Sequence, residues 1–259
     1  MTESKEHIIS VEKLSIGYKS KVVTTSIDFS LERGILCGIV GINGIGKSTL
    51  LRTLGRFQPK LGGTIMLKQK KLEDHSQPQL AKELSVVLTE QPASKNLTVQ
   101  ELIALGRQPY TNWIGGLSQK DKEHVQHSLD AFLLNDLRSS KCHELSDGQL
   151  QRVLIARAMA QDTPLILLDE PTTHLDLYHK AQILKMLQQL AHQNQKTIVF
   201  TSHEIDLAIQ LCDKILILDG MDNPFGEPCD LIEQRHFERL FPSDMVQFDT
   251  KTGTFKVNK

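Results

Sequence analysis

Along this chain the apolar residues change period several times, and each change marks a predicted element. From Ile8 to Ser15 apolar and polar residues alternate, and Gly17-Tyr18 then leads to a second such stretch at Ser26–Leu31. This is the period-2 signature of half-buried strands, and it predicts an antiparallel pair joined by a turn. Ile35–Val40, Leu165–Leu168, Thr197–Thr201 and Lys214–Leu218 are instead nearly continuous apolar runs. Such runs predict strands buried on both faces of a parallel sheet. Thr64–Leu67, after a Gly62-Gly63 turn closed much as Gly34 closes the one before Ile35, and Ser85–Leu88 add two more strands. Helical segments are expected at Ser48–Leu54, Gln79–Leu84, Leu177–Asn194 and Ile205–Leu211, with Leu177, Ala181, Leu184, Leu187 and Ala191 forming the core face of the long one. From Gly226 the pattern suggests one helix around Asp230–Leu240 and a short hairpin or tail.

Residues 97–141 change character. Thr98 and Glu101 fit a capping box at a helix start, a loop with Pro109, Trp113 and Gly115-Gly116 follows, and Gln119–Leu134 reads as an amphipathic helix with Val125, Leu129 and Phe132 inward. This is a helical insert between strand-rich parts. Another capping box, Ser146 with Gln149, starts a helix that stops before Pro164. Its free N–H groups and positive dipole end are suited to a phosphate.

The chemistry clusters at strand ends. Ile35–Val40 runs into Gly41-Ile42-Asn43-Gly44-Ile45-Gly46-Lys47-Ser48-Thr49, a complete GxxxxGK[ST] loop between an apolar strand and a helix. Its glycines let backbone N–H groups surround phosphate oxygens, Lys47 supplies a point charge, and the Ser48 hydroxyl is placed to ligate Mg²⁺. Leu165–Leu168 ends in Asp169-Glu170. Because strand side chains alternate in direction, one carboxylate is expected to hold a cation and the other to face an attacking water. The bland alternative is a pair of solvated acids. Read locally, Tyr18 is either a half-buried strand aromatic or a face for a flat base, and Gln91 is a loop residue.

Composition narrows the partners. Of 259 residues 39% are hydrophobic and 24% charged, with a net charge of −1, which argues against a nucleic-acid binder held by bulk electrostatics. Cys37, Cys142, Cys212 and Cys229 lie far apart without metal-ligand spacing and are expected to be reduced and mostly buried. His124 and His127 share a helix face, which is expected to be solvated rather than a metal site. The first ten residues lack the apolar core of a signal peptide, and no apolar run is long enough to span a bilayer, so any work at a membrane is expected through another subunit.

Together, the P-loop, Leu145-Ser146-Asp147-Gly148-Gln149 about a hundred residues later and LILLDEPTTHLD just beyond it resemble the ATP-binding subunits of ABC transporters over nearly the whole chain. The resemblance implies an α/β fold: a P-loop NTPase core with a mainly parallel central sheet, an N-terminal antiparallel β subdomain and a helical insert subdomain. The expected divisions are residues 1–90 and 142–225 for the ATP-binding core, 91–141 for the helical part, and 226–259 for a C-terminal helix and tail. By matching positions, Gly41, Asn43, Gly44, Gly46, Lys47, Ser48 and Thr49 bind ATP, and Tyr18 stacks on adenine through its ring alone. Ser48, Gln91 and Asp169 handle Mg²⁺, Glu170 is the base, Gln91 reaches metal and water, and His203 contacts the γ-phosphate.

The resemblance also implies a head-to-tail homodimer, in which Ser146, Gly148 and Gln149 of one subunit face the P-loop of the other and the loop at Leu175-Asp176 crosses between them. Permease subunits would dock on the 91–141 insert, with Arg107 and Tyr110 as exposed probes, on the cytoplasmic face of the cell membrane; a periplasmic or surface binding protein acts indirectly. Thr98-Val99-Gln100-Glu101-Leu102 and Gly106-Arg107-Gln108-Pro109-Tyr110 are similar to importers of iron–siderophore, haem or vitamin B12. A soluble scaffold ATPase, as in iron–sulfur cluster assembly, is the alternative, and an ordinary P-loop kinase fits less well because it lacks the LSDGQ helix. Asp147 departs from the family, where most relatives have glycine, and its side chain is expected to turn away from the partner's phosphate, toward solvent or a nearby cation.

Overall fold

The computed structural model describes residues 7–19, 21–89, 96–111, 115–241, 245–250 and 252–258. Its first elements are β1 (His7–Tyr18) and β2 (Lys21–Glu32), followed by β3 (Leu36–Val40), α1 (Lys47–Leu54), β4 (Gly62–Leu67) and β5 (Lys70–Lys71). β1 pairs antiparallel with both β2 and β4, and β5 completes a four-stranded sheet in the order β2-β1-β4-β5. The alternation read in the N-terminal segment is therefore that of an antiparallel sheet. Gly62-Gly63 is inside β4 rather than in a turn: Gly63 has φ +81°, and a side chain there would meet the backbone oxygens of Glu12 and Lys13 across the β1 ladder.

Next come α2 (Gln77–Glu83), β6 (Leu84–Val87), α3 (Val99–Ala104), α4 (Gln119–Ala131), α5 (Asp147–Ala160), β7 (Leu165–Leu168), α6 (Leu177–Asn194), β8 (Thr197–Ser202), α7 (Ile205–Leu211) and β9 (Lys214–Ile217). These strands form a second sheet in the order β10-β9-β3-β8-β7-β6, parallel except for β10 (Phe225–Gly226). Strand alternation sorts its residues into two cores. Leu36, Val40, Ile166 and Leu168 pack with α3 to α6 on one side, while Cys37, Ile39, Leu165 and Leu167 pack with α1 and the antiparallel sheet on the other. A strand with both faces covered reads as an uninterrupted apolar run for that reason. All strands of this parallel core point their carboxyl ends one way, which gathers the residues that follow β3, β7 and β8.

Within residues 97–141 the capping boxes at Thr98 and Ser118 start α3 and α4. The stretch expected as loop after Ala104 is a 3-10 helix, Leu105–Tyr110, and α4 ends at Ala131, with Phe132 and Leu134 buried in the core and Leu133 exposed between them. The segment closes on itself where Cys142 N donates to Leu97 O at 2.9 Å. Trp113 lies outside the described residues.

Three further expectations need correction. Leu177 is 69% exposed, because it is the first residue after the Asp176 cap and lies beyond the rim of the core; the inward face of α6 is Ile183, Leu184, Leu187, Leu190 and Ala191. The C-terminal helix is not continuous: α8 (Pro228–Glu233) stops where Arg235 adopts φ +60°, and a 3-10 turn, His236–Arg239, takes over. The hairpin then forms as β11 (Val246–Asp249) and β12 (Thr254–Val257), anchored by Phe237 stacked on Phe248 with centroids 5.2 Å apart. The third is Arg107, which is buried at 3% exposure. Its guanidinium pairs with Asp121 at 2.9 Å, donates to Ala160 O at 2.7 Å and lies 4.0 Å from the Tyr110 ring centre. It holds the insert to the core and is no surface probe. Cys37, Cys142 and Cys212 are buried free thiols, whereas Cys229 is exposed. Among the described residues no helix is long and apolar enough to cross a membrane.

Candidate nucleotide site

β3 delivers the chain into the loop at Gly41, where φ is +153° and a Cβ would lie 2.5 Å from Leu218 O, so only glycine lets the loop leave the sheet here. The loop ends at Gly46, φ +114°, which caps α1. Thr24 donates to Ile45 O at 2.8 Å and ties the loop to β2. Lys47 turns back along the loop and donates to Gly41 O at 2.9 Å and Ile42 O at 3.1 Å. Burial pulls its pKa below the ordinary lysine value, while the negative charges of Glu170 and Asp169 pull the other way. The ammonium is thus held within reach of acceptors at the mouth of the loop.

Asp169 follows β7 and is 2% exposed. Ser48 and Thr201 both donate to its Oδ1, at 2.9 and 2.8 Å, and Thr89 donates to Oδ2 at 3.4 Å. Glu170 does not continue the strand: its φ is +49°, a left-handed conformation that costs a non-glycine residue roughly 1–2 kcal/mol. The two acids do diverge, yet the cause is this turned backbone and not strand alternation. Glu170 Oε1 lies 2.6 Å from His203 Nε2, and Thr173 donates to Oε2 at 3.0 Å. One carboxylate is buried among hydroxyls; the other stands at the edge, paired with an imidazole.

Tyr18, Asn43, Lys47, Ser48, Glu170 and His203 line one hollow of about 460 Å³, together with Gly44, Gly46 and Thr49. Tyr18 is 53% exposed at the end of β1, so its ring is not a core aromatic. Its hydroxyl sits 3.1 Å from Thr49 Oγ1, a bond that the ring-only reading did not anticipate. Ser146, Gly148 and Gln149 are not in that lining. They form the start of α5, with Ser146 Oγ accepting from Gln149 N and Gln149 Oε1 accepting from Ser146 N. Asp147 is the first residue of α5 and is exposed. Leu175 packs beside Gly148, and Asp176 caps α6 through His179 N at 2.9 Å. Gln91 lies outside the described residues.

Thr201, Thr89, Thr173 and Thr24 complete the arrangement. The sequence marks Thr89 only as an unusual residue ahead of Gln91, and Thr201 only as a hydroxyl near the end of an otherwise apolar run.

A glycine-rich loop between a buried strand and a helix, with a lysine after β3 and two divergent acids after β7 at the same edge of the sheet, defines a P-loop nucleotide-binding ATPase. A model of the ABC transporter family matches residues 24–173, and the chain belongs to that family. It is 37% identical over 231 residues to the probable siderophore transport system ATP-binding protein YusV of Bacillus subtilis, covering 87% of this chain and 84% of that one. It is 34% identical over 248 residues to the petrobactin import ATP-binding protein FpuD of Bacillus anthracis, covering 95% and 91%. An ABC transporter solved in an inward-facing conformation superposes with a TM-score of 0.79 at 29% identity, covering 91% of this chain and 89% of that one. The chain binds ATP and hydrolyses it in the service of transport.

Proposed function

We propose that this chain energises import of an iron–siderophore chelate from the cytoplasmic face of the cell membrane, as a homodimer docked on permease subunits. The observation that carries the substrate class is the pair of relatives named for siderophore and petrobactin transport, each aligned over most of both chains. Cargo is bound by other subunits, including a periplasmic or surface binding protein, so the present residues set the ATP chemistry.

In this reading the N–H groups around Gly44, Gly46 and Lys47, with Asn43 and Thr49, wrap the phosphates, and Lys47 exchanges its loop carbonyls for β- and γ-phosphate oxygens. Ser48 Oγ and Asp169 Oδ1, 2.9 Å apart, are hard oxygens on adjoining element ends. Among the described residues no group of three or more His, Cys, Asp or Glu is arranged to hold a metal alone. That donor set fits Mg²⁺, which takes one or two protein oxygens and fills the rest with phosphate and water. Bound there, the ion would supply positive charge against the phosphate oxygens. Glu170 accepts the proton of the water that attacks the γ-phosphorus, His203 orients Glu170 and meets the γ-phosphate, and Gln91 reports the site to the insert. The start of α5, with Ser146, Gly148 and Gln149, lies outside the hollow of its own chain and serves the nucleotide held by the partner.

Tyr18 supplies the adenine face. Tyr18→Ala is expected to weaken ATP binding about 5- to 150-fold, since base stacking contributes roughly 1–3 kcal/mol. Tyr18→Phe should lose less than about tenfold, through the bond to Thr49, which is worth roughly 0.5–1.5 kcal/mol. Equal losses in both, measured by nucleotide titration, would show that the ring does not stack.

The transport reading is tested by purifying the chain with a polytopic permease and measuring ATP-driven uptake. ATPase stimulation and uptake of a ferric siderophore are expected, with haem and cobalamin not taken up. Uptake of either of those instead, or no association with a permease, would overturn the assignment.

A further inference from the structure

We propose that Thr201 is a positioning residue for hydrolysis: its hydroxyl bridges Asp169 to the backbone of Glu170 and thereby fixes where the Glu170 carboxylate stands. The inference rests on the reading of Glu170 as the base. β8 lies between β3 and β7, so its carboxyl end separates the P-loop strand from the strand that carries the two acids. Thr201 is in that end, in register with Ile39 of β3, and is fully buried.

A hydroxyl has one proton to give and lone pairs to receive. The Thr201 proton goes to Asp169 Oδ1 at 2.8 Å, and its oxygen accepts from Glu170 N at 2.9 Å. The surrounding ladder shows why this matters. Asp169 N still donates to a backbone carbonyl, that of Val87 in β6, at 2.8 Å. The next N–H belongs to Glu170 and meets a side chain of β8 in place of its backbone. The backbone pairing therefore ends at Asp169, and the chain turns through the left-handed conformation at Glu170. Two residues further along the same strand segment, His203 holds Glu170 Oε1 at 2.6 Å. The end of β8 thus grips Glu170 at its peptide and at its carboxylate. Thr201 is absent from the lining of the nucleotide hollow, so it acts through Glu170 and Asp169 and touches no substrate.

Valine has nearly the shape of threonine but neither gives nor receives a hydrogen bond, whereas serine keeps the hydroxyl. Both are compared with Glu170→Gln and with the Thr201→Val/Glu170→Gln double variant in the full chain, with melting temperatures recorded alongside. Thr201→Val is expected to lower kcat about 10- to 100-fold with KM for ATP within about twofold, because a small misplacement of a reacting group costs rate rather than binding. Thr201→Ser should restore kcat to within about threefold, and adding Thr201→Val to Glu170→Gln should cost less than about twofold more, as expected for residues that act as one unit. Wild-type turnover in Thr201→Val, no rescue by serine, or full additivity in the double variant would each overturn the proposal. If Thr201→Val fails to fold, Thr201→Ala, which removes the hydroxyl without placing a methyl against Asp169, is read in its place against the same limits. Should Glu170→Gln itself turn over normally, the base assignment fails, and that outcome is separate from any result at Thr201.

Discussion

Glu170→Gln is expected to keep ATP affinity within a few-fold of the parent while losing about 100- to 10,000-fold in turnover, the range spanned by general-base catalysis. The amide keeps nearly the shape of the carboxylate but cannot take a proton, and it gives up the charge that faces His203 at 2.6 Å. Asp169 keeps its bonds from Ser48 and Thr201, so the side of the site that would hold the metal is left as it was. Binding without turnover should trap the ATP-closed dimer, visible as a rise in light scattering on adding Mg-ATP. Lys47→Ala, by contrast, removes the point charge and should lose affinity first. If Glu170→Gln retains near-parental turnover in a single-turnover assay, another group is the base.

The second large effect lies far from the nucleotide. Arg107→Ala is expected to cost about 3–5 kcal/mol, the usual penalty for stranding one member of a buried ion pair. For a chain of this size that is a fall in Tm of roughly 6–20 °C. Asp121 would remain buried without its cation, and Ala160 O would lose its donor. The Tyr110 ring would lose the guanidinium at 4.0 Å, though Lys82 stays 5.5 Å from it. Arg107→Lys should recover part of the loss, because an ammonium keeps the charge but not the planar fork that reaches both acceptors. In the parent, the Ser118 hydroxyl foremost, with the Ser118 N–H and Arg107, holds the Asp121 carboxyl down at about 2. Its folded pKa is below the unfolded value, so this contribution is complete above pH 4 and is lost as pH falls through 2. The gap between parent and Arg107→Ala should therefore be constant above pH 4 and close below it. A Tm within 2 °C of the parent near neutral pH would show that Arg107 does not brace the insert.

Legibility followed how locally each feature is encoded. The P-loop, the Ser146 cap and α6 were readable because each is set by residues adjacent in sequence, such as Ser146 with Gln149. The arrangement around Asp169 was not, since Ser48, Thr89 and Thr201 reach it only after the strands have taken their order in the sheet. Leu177 was misplaced because helical spacing says which residues share a face but not where the core under that face ends. Arg107 was misplaced because an arginine in a polar stretch is usually solvated. The close approach at Gly106, where a Cβ would lie 2.2 Å from Arg157 O, shows how tightly this turn is pressed on α5, and nothing next to it in the sequence announces that. The break at Arg235 likewise needed a left-handed backbone that no glycine or proline advertised.

The position of β3 in the sheet has a consequence for synthesis. Its neighbours are β8 and β9, and Leu36 pairs with Ile198, about 160 residues downstream. At roughly 5–20 residues per second, a nascent chain carries this strand for about 8–30 seconds before either edge can be covered. Leu36–Val40 is wholly apolar apart from its glycine, which makes it an adhesive segment while it waits. The soluble yield of cell-free synthesis should therefore rise when a chaperone that shields extended apolar segments is present during translation rather than added after it.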